Sequence, residues 1–330
     1  AERVRLGRAV GALRRLDPSD PALDAISFGQ WLREHGQSPR AIANLWNLIA
    51  LPTINVSADE ASLAPAAMVF RTGLLDDATG GDIGWSRVPL SELHGDRAAR
   101  ALAAAGVEVR LGALVGALDT AGDRPVLSVG GEALEADAVI LATPPDVSAG
   151  LVGALAPAVE ALGASPIVNV HLVLDRRVTD LAMAACVDSP VQFFFDRTES
   201  AGASGSEQCL SISLSGADDY IGRRPEELVS TFFAALGDVL PEARRAQLVD
   251  GVVSRERSAT FRAVPGTAAH RPAIDAVRPG VVLAGAWCDT GWPATMEGAV
   301  RSGLRAASVA TEHGSGAGDL AAPALHGASA

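Results

Sequence analysis

The sequence predicts an α/β protein of about two domains, with helices gathered in its first part and buried strands in separated stretches further on. Three observations carry this. The apolar period is 3.6 over the first hundred residues and changes to 2 at Gly106. The runs 138–142 and 281–285 are continuously apolar, as expected of strands covered on both faces. The chain has 330 residues, 48% apolar and 20% charged, enough for a substantial core in about two domains.

Taken in order, residues 5–16 are rich in Arg and Leu and stop at Asp17-Pro18. Ser27 with Gln30 offers a capping box for a helix through Trp31 and Glu34. Ser38-Pro39 restarts a helix whose apolar positions Ile42, Leu45, Trp46 and Ile49 keep the helical period until Pro52 ends it. Residues 57–70 are Ala-rich and helical, a Gly/Asp loop spans 76–82, and 89–105 is helical again. Val107, Val109 and Leu111 then alternate with polar residues as a strand, and 126–129 is another. Further strands are expected at 138–142, 167–174, 191–195, 210–214, 248–261 and 281–285, with helices at 225–240 and 296–309.

Charge excludes several functions. Asp and Glu number 39 against 27 cations, for a net charge of −12, which argues against a nucleic-acid backbone as partner. All of the cations are Arg, so neither a Schiff-base lysine nor a P-loop lysine is available. Cys186, Cys209 and Cys288 are too few and too scattered for a disulfide scaffold or a zinc cluster, and no metal site is expected. They suit a reducing, cytoplasmic setting. No apolar run approaches the roughly 18 residues of a membrane span.

The strongest motif runs from Val281 to Gly303: a buried strand ending in Gly285, a loop, and a helix opened by Thr295. A glycine at a strand end lets backbone approach a ligand, and a helix N-terminus offers open N–H groups and positive dipole. Met296, Ala299, Val300, Gly303, Leu304 and Ala307 form one apolar stripe, while Gly298, Ser302 and Gly303 permit close packing. An ordinary αβ unit with a turning glycine would look the same.

This segment resembles the carboxy-terminal FAD-binding motif of the flavin amine oxidase and phytoene desaturase superfamily, and within it that of the hydroxysqualene dehydroxylases. The string Trp292-Pro293-Ala294-Thr295-Met296-Glu297-Gly298-Ala299-Val300-Arg301-Ser302-Gly303 is specific. Phe28-Gly29-Gln30-Trp31-Leu32, Asn55, 106–111, 136–145 and 256–272 extend the likeness in order.

The resemblance implies a two-domain fold of the FAD-linked reductase type with FAD as cofactor. It places Val115 beside the adenine and Ala142, Thr143 and Pro144 at the turn leaving the nucleotide-binding sheet. Gly285 and Ala286 fall by the pyrophosphate and ribityl, and the amide of Met296, after Thr295, at the pyrimidine edge of the flavin. Residues 1–75 and 166–264 would form the substrate domain, 76–165 and 265–312 the FAD-binding domain, and 313–330 a disordered tail.

Two departures stand out. Ala286 occupies a position that is usually acidic. No G-x-G-x-x-G follows a strand; the near-match 314–319 lies in the tail. The nucleotide-binding domain is therefore expected to be Rossmann-like but incomplete, lacking its first βαβ unit, which would be required in cis or in trans. A chain start without Met fits that expectation.

Asp289 and His94 are candidate proton donors, a loop cap and a solvated helix residue being the alternatives. Phe193, Phe195 and Trp292 are candidates for an apolar substrate pocket, a core role being the alternative. His171 is a pocket wall or an exposed strand position.

The activity implied is reduction of hydroxysqualene to squalene in hopanoid and isoprenoid metabolism, with peripheral contact to the membrane at most. A carotenoid desaturase is an alternative. So is an amine oxidase, against which the absence of Lys and the Thr before Met296 both argue. An inactive fragment, or half of a split protein, is the alternative of another class.

Overall fold

The computed structural model describes residues 2–203 and 205–314. Its helices are α1 Glu2–Leu13, α2 Phe28–Glu34, α3 Pro39–Ala41, α4 Asn47–Ile54, α5 Leu63–Phe70, α6 Arg97–Ala104, α7 Pro145–Leu151, α8 Ala156–Leu162, α9 Pro225–Val239 and α10 Met296–Gly314. Its strands are β1 Val115–Asp119, β2 Val126–Val129, β3 Glu132–Glu135, β4 Val139–Leu141, β5 Ser165–Leu174, β6 Met183–Ala185, β7 Phe193–Asp196, β8 Gln208–Ser215, β9 Leu248–Thr260 and β10 Val281–Leu283. Two compact units result, 1–110 with 162–270 and 111–161 with 271–330.

The first unit joins a helical layer to an antiparallel sheet. Ser27 and Ser38 cap their helices as expected, accepting from the amides of Gln30 and Ala41 at 3.1 and 3.2 Å. Half of the capping box forms, because the Gln30 side chain donates to Glu34 instead of turning back. The helices bury a ring cluster in which Phe28 meets Trp46 edge-on at 5.7 Å and Trp46 meets Phe70 at 5.0 Å. Beneath it, Trp46 Nε1 donates to Gln37 Oε1 at 3.1 Å.

The sheet has the order β6-β7-β8-β5-β9. Strand alternation sends Val168, Val170, Leu172 and Leu174 of β5, with Leu210, Ile212 and Leu214 of β8 and Phe194 of β7, to one face. There they pack on Leu228, Phe232 and Leu236 of α9. Asn55 ties helices to sheet. It ends α4 in the left-handed conformation (φ 63°) and donates to Ser165 O and Thr260 Oγ1, both at 3.0 Å. Its Oδ1 accepts from the Gly216 amide at 2.7 Å.

The second unit holds an antiparallel meander β1-β2-β3 and a parallel pair β10-β4. Val281, Val282 and Leu283 pair in register with Val139, Ile140 and Leu141, so the two continuously apolar runs share a sheet as expected. Helix α10 packs on both strands.

Several expectations give way. Residues 107–111 form no strand: Val107 is 48%, Val109 55% and Leu111 91% exposed. Alternation specifies a strand only where a neighbouring strand supplies hydrogen bonds, and none does among the described residues. Pro52 lies inside α4, which runs on to Ile54 because Asn55 is the residue that leaves the helix. The helix expected at 57–70 begins at Leu63, where Ser62 caps it by accepting from the Ala64 amide.

Residues 76–110 group with the helical unit rather than with the sheet of β4 and β10. Helix α5 continues through a wider turn, Arg71–Leu75, and Arg87 pairs with Glu199 of the same unit at 3.0 Å. Helix α10 extends through Gly314, past the expected tail start at His313; the rest of that tail and of the 314–319 near-match lies outside the described residues. Among the described residues, no helix is long and apolar enough to cross a membrane.

Candidate flavin site

The site grows from the carboxyl ends of β4 and β10, the edge at which parallel sheets receive ligands. The amide of Ala284 donates to Leu141 O at 2.9 Å, so the two strands release their chains side by side. After β4, Ala142, Thr143 and Pro144 form the turn into α7, where Thr143 Oγ1 and Ser148 Oγ lie 2.7 Å apart and Pro144 O accepts from the Ser148 amide. Helix α7 in turn packs on β1, the strand that begins with half-buried Val115.

After β10, Gly285 adopts φ +148°, and a Cβ there would lie 2.5 Å from Trp287 Nε1. Its amide donates to Ser302 Oγ at 2.8 Å, which locks the strand end to α10. Helix α10 seats itself through Gly298, Ser302 and Ala306, one small residue per turn. A Cβ on Gly298 would meet Pro293 O at 2.7 Å. The apolar stripe lies elsewhere: Met296, Val300 and Leu304 are 67%, 57% and 62% exposed.

Thr295 caps α10, its Oγ1 accepting from the Gly298 amide at 3.3 Å. Among the described residues, the amides of Met296 and Glu297 find no acceptor. They sit at the positive end of a 19-residue helix.

Three residues organise this loop, two of them outside the sequence expectations. Arg271 donates to Ala286 O at 3.1 Å and also to Cys288 O, clamping the segment in which the acidic residue is absent. Trp287 is 5% exposed, and its indole N–H is buried with no acceptor. Ser302 is the third, and its spacing of four from Gly298 and Ala306 was a legible signal. Trp287 and Arg271 carried none, because burial of the one and reach of the other depend on the fold.

Cys288 is fully buried, and burial pushes its thiol up to about 12, with Asp289 adding to the rise and Arg271 opposing it. It is a packed hydrophobe rather than a nucleophile.

The other candidates are spread out. Asp289 is exposed and its carboxylate accepts from the Gly291 amide at 3.2 Å, as a loop cap does. Trp292 is half-buried, with the Arg301 guanidinium 4.2 Å from its ring centre. His94 is exposed in the turn Ser91–Asp96 of the first unit.

Phe193 and Phe195, also in the first unit, stack at 6.4 Å on the sheet face away from α9. Ser211, Ser213, Asn169 and His171 share that face by register. Burial, then Arg197, lowers the His171 pKa, so the ring favours its neutral form. A cavity of about 510 Å³ opens beside α1 in the first unit, lined by residues such as Arg3, Arg5 and Asn44.

What gathers at the ends of β4 and β10 fits the flavin portion of FAD. A buried indole N–H without acceptor and two open helix-start amides are donors for an electron-rich ligand.

Comparison with known proteins agrees. The chain is 32% identical over 266 residues to hydroxysqualene dehydroxylase of Rhodopseudomonas palustris, covering 79% of this chain and 60% of that protein. It is 22% identical over 300 residues to 15-cis-phytoene desaturase of Solanum lycopersicum, covering 86% and 51%. The chain thus spans between half and two thirds of the length of these relatives.

A crystal structure of an oxidoreductase from Methanosarcina mazei superposes with a TM-score of 0.70 at 12% identity, covering 93% of this chain and 72% of that one. The family model for flavin containing amine oxidoreductase matches residues 2–311. With a match across nearly the whole sequence and this parallel strand-end site beneath it, the chain belongs to the flavin-containing amine oxidoreductase family.

Proposed function

We propose that this protein is an FAD-dependent oxidoreductase of isoprenoid metabolism that converts hydroxysqualene to squalene. The observation that carries the reading is the convergence of Gly285, the Trp287 indole and the capped start of α10 on the carboxyl ends of β4 and β10. The likeness to a hydroxysqualene dehydroxylase along most of the chain supports that substrate.

When bound, FAD would supply the hydride-transfer chemistry; replacement of the allylic hydroxyl by hydride, with a proton on the departing oxygen, balances as squalene and water. The chain's own part is to bind and orient. The amides of Met296 and Glu297 favour negative charge at the flavin edge, and Thr295 fixes the helix start that presents them. Gly285 and Ala286 would hold the ribityl side, Val115 the adenine, and the turn Ala142-Thr143-Pro144 the dinucleotide between them. Phe193, Phe195 and Trp292 offer apolar surface to an isoprenoid. Asp289 and His94 stay as candidate proton donors.

A strand–glycine turn–helix unit, supplied in cis or in trans, would hold the pyrophosphate. Two features support this. The outer edge of β4 leaves Ile140 41% exposed with its backbone unpaired among the described residues, and the α10 stripe is apolar and open. The setting proposed is cytoplasmic.

The 330-residue chain alone is expected to be colourless, since each missing charge-assisted phosphate contact costs about 1.5–3 kcal/mol. Joined to such a unit it should turn yellow and form squalene from hydroxysqualene. Stoichiometric flavin absorbance in the chain alone overturns the docking unit. A yellow complex that reduces no hydroxysqualene overturns the substrate.

A further inference from the structure

Helix α1 is basic in an acidic protein. Residues 2–16 carry five arginines against a single glutamate, whereas the whole chain has a net charge of −12. Elsewhere about half of the arginines meet carboxylates, as Arg262 meets Glu60 at 2.8 Å and Asp218 at 3.0 Å. Among the described residues, Arg3, Arg5, Arg8, Arg14, Arg15 and Arg40 form no ion pair; Arg14 reaches only a carbonyl, Leu75 O, at 3.2 Å.

The helix is built to expose this charge. Ala9 and Leu13 are buried and Leu6 and Val10 half-buried, one stripe at helical spacing. Val4, Gly7, Arg8, Gly11 and Arg15 follow the same spacing on the opposite side. Gly7 has no neighbour within 4 Å of a virtual Cβ, so this strip is open. Val4 is 60% exposed, and Leu45, across the cavity, is 38% exposed.

That cavity, about 510 Å³, is lined by Arg3, Arg5 and Arg40 with Ser38 and Asn44. Its one carboxylate, Glu2, accepts from Ser38 Oγ at 3.2 Å.

We propose that the outward face of α1 docks on an anionic lipid surface. The guanidinium forks match phosphate head groups, and Val4 enters the boundary between head groups and acyl chains. An isolated charged ridge would serve a nucleic acid equally, but the exposed Val4 among the arginines and the net negative charge favour the membrane. This docking is independent of the reaction proposed above, and its test does not use that reaction.

The full chain is sedimented with vesicles of neutral phosphatidylcholine, or of the same lipid with roughly a third phosphatidylglycerol. Binding is expected only to the anionic vesicles and is expected to be released by about 0.5 M salt. Each arginine at the surface contributes about fivefold, so the combined variant Arg3→Glu, Arg8→Glu, Arg15→Glu should partition at least about a hundredfold more weakly. Those three side chains are exposed, and an unchanged circular dichroism spectrum confirms an intact fold. Arg97→Glu with Arg100→Glu, on exposed positions of α6, should bind as the parent does. Equal binding to both vesicle types, no binding to either, or full binding by the triple variant would overturn the proposal.

Discussion

Replacing Gly285 by alanine tests the geometry at the head of the flavin site. The new Cβ would lie 2.5 Å from Trp287 Nε1 and 2.6 Å from Cδ1, about 1 Å inside ordinary van der Waals contact. The indole cannot swing clear without opening the core, because Trp287 is only 5% exposed. Forcing extra volume into such packing costs about 1–3 kcal/mol. At φ +148°, a conformation largely confined to glycine, the alanine backbone adds about 1–3 kcal/mol more. The total, about 2–6 kcal/mol, should lower the calorimetric melting temperature of the second unit by roughly 5–20 °C. Gly303→Ala is the control: nothing lies within 4 Å of its Cβ and the residue is inside α10, so helix propensity should stabilise by about 0.5–1 kcal/mol. A Gly285→Ala protein melting within 2 °C or so of the parent would refute both the clash and the strain.

Two further outcomes follow from buried groups. Asn55→Ala strands three hydrogen-bonding partners in or beside the first unit's core and should cost about 3–5 kcal/mol in urea denaturation. Asn55→Gly should lose less, because glycine accepts φ 63° without strain. The Cys288 thiol titrates near 9 when unfolded and at about 12 when folded, so its stabilising effect is complete below pH 9 and is lost as pH rises toward 12. Cys288→Ser should flatten that alkaline decline, and iodoacetamide should leave Cys288 unlabelled in the native protein at pH 8, measured by mass spectrometry.

Much of the site could be read before folding, wherever the signal is local. Thr295 as a cap, Gly285 at a strand end and the turn after 142 depend on a few neighbouring residues, and the structure repeats them. Trp287 and Arg271 stayed hidden, because an unpaired indole or a clamping guanidinium exists only once distant segments are packed. The α10 stripe shows the same limit from the other side. Hydrophobic period identified the helix, yet the strands took its row of small residues instead, since those allow closer approach.

By itself the sequence determined the secondary periods, the capping residues, the absence of lysine and the motif that marks the family. It did so because these are properties of residue type and short spacing. Only the tertiary structure decided that 107–111 would form no strand, that Asn55 would pin α4 to the sheet, and that Gly298, Ser302 and Ala306 would seat α10. The physical reason is that a strand needs a partner's hydrogen bonds, and a buried face is settled by which surfaces can approach most closely.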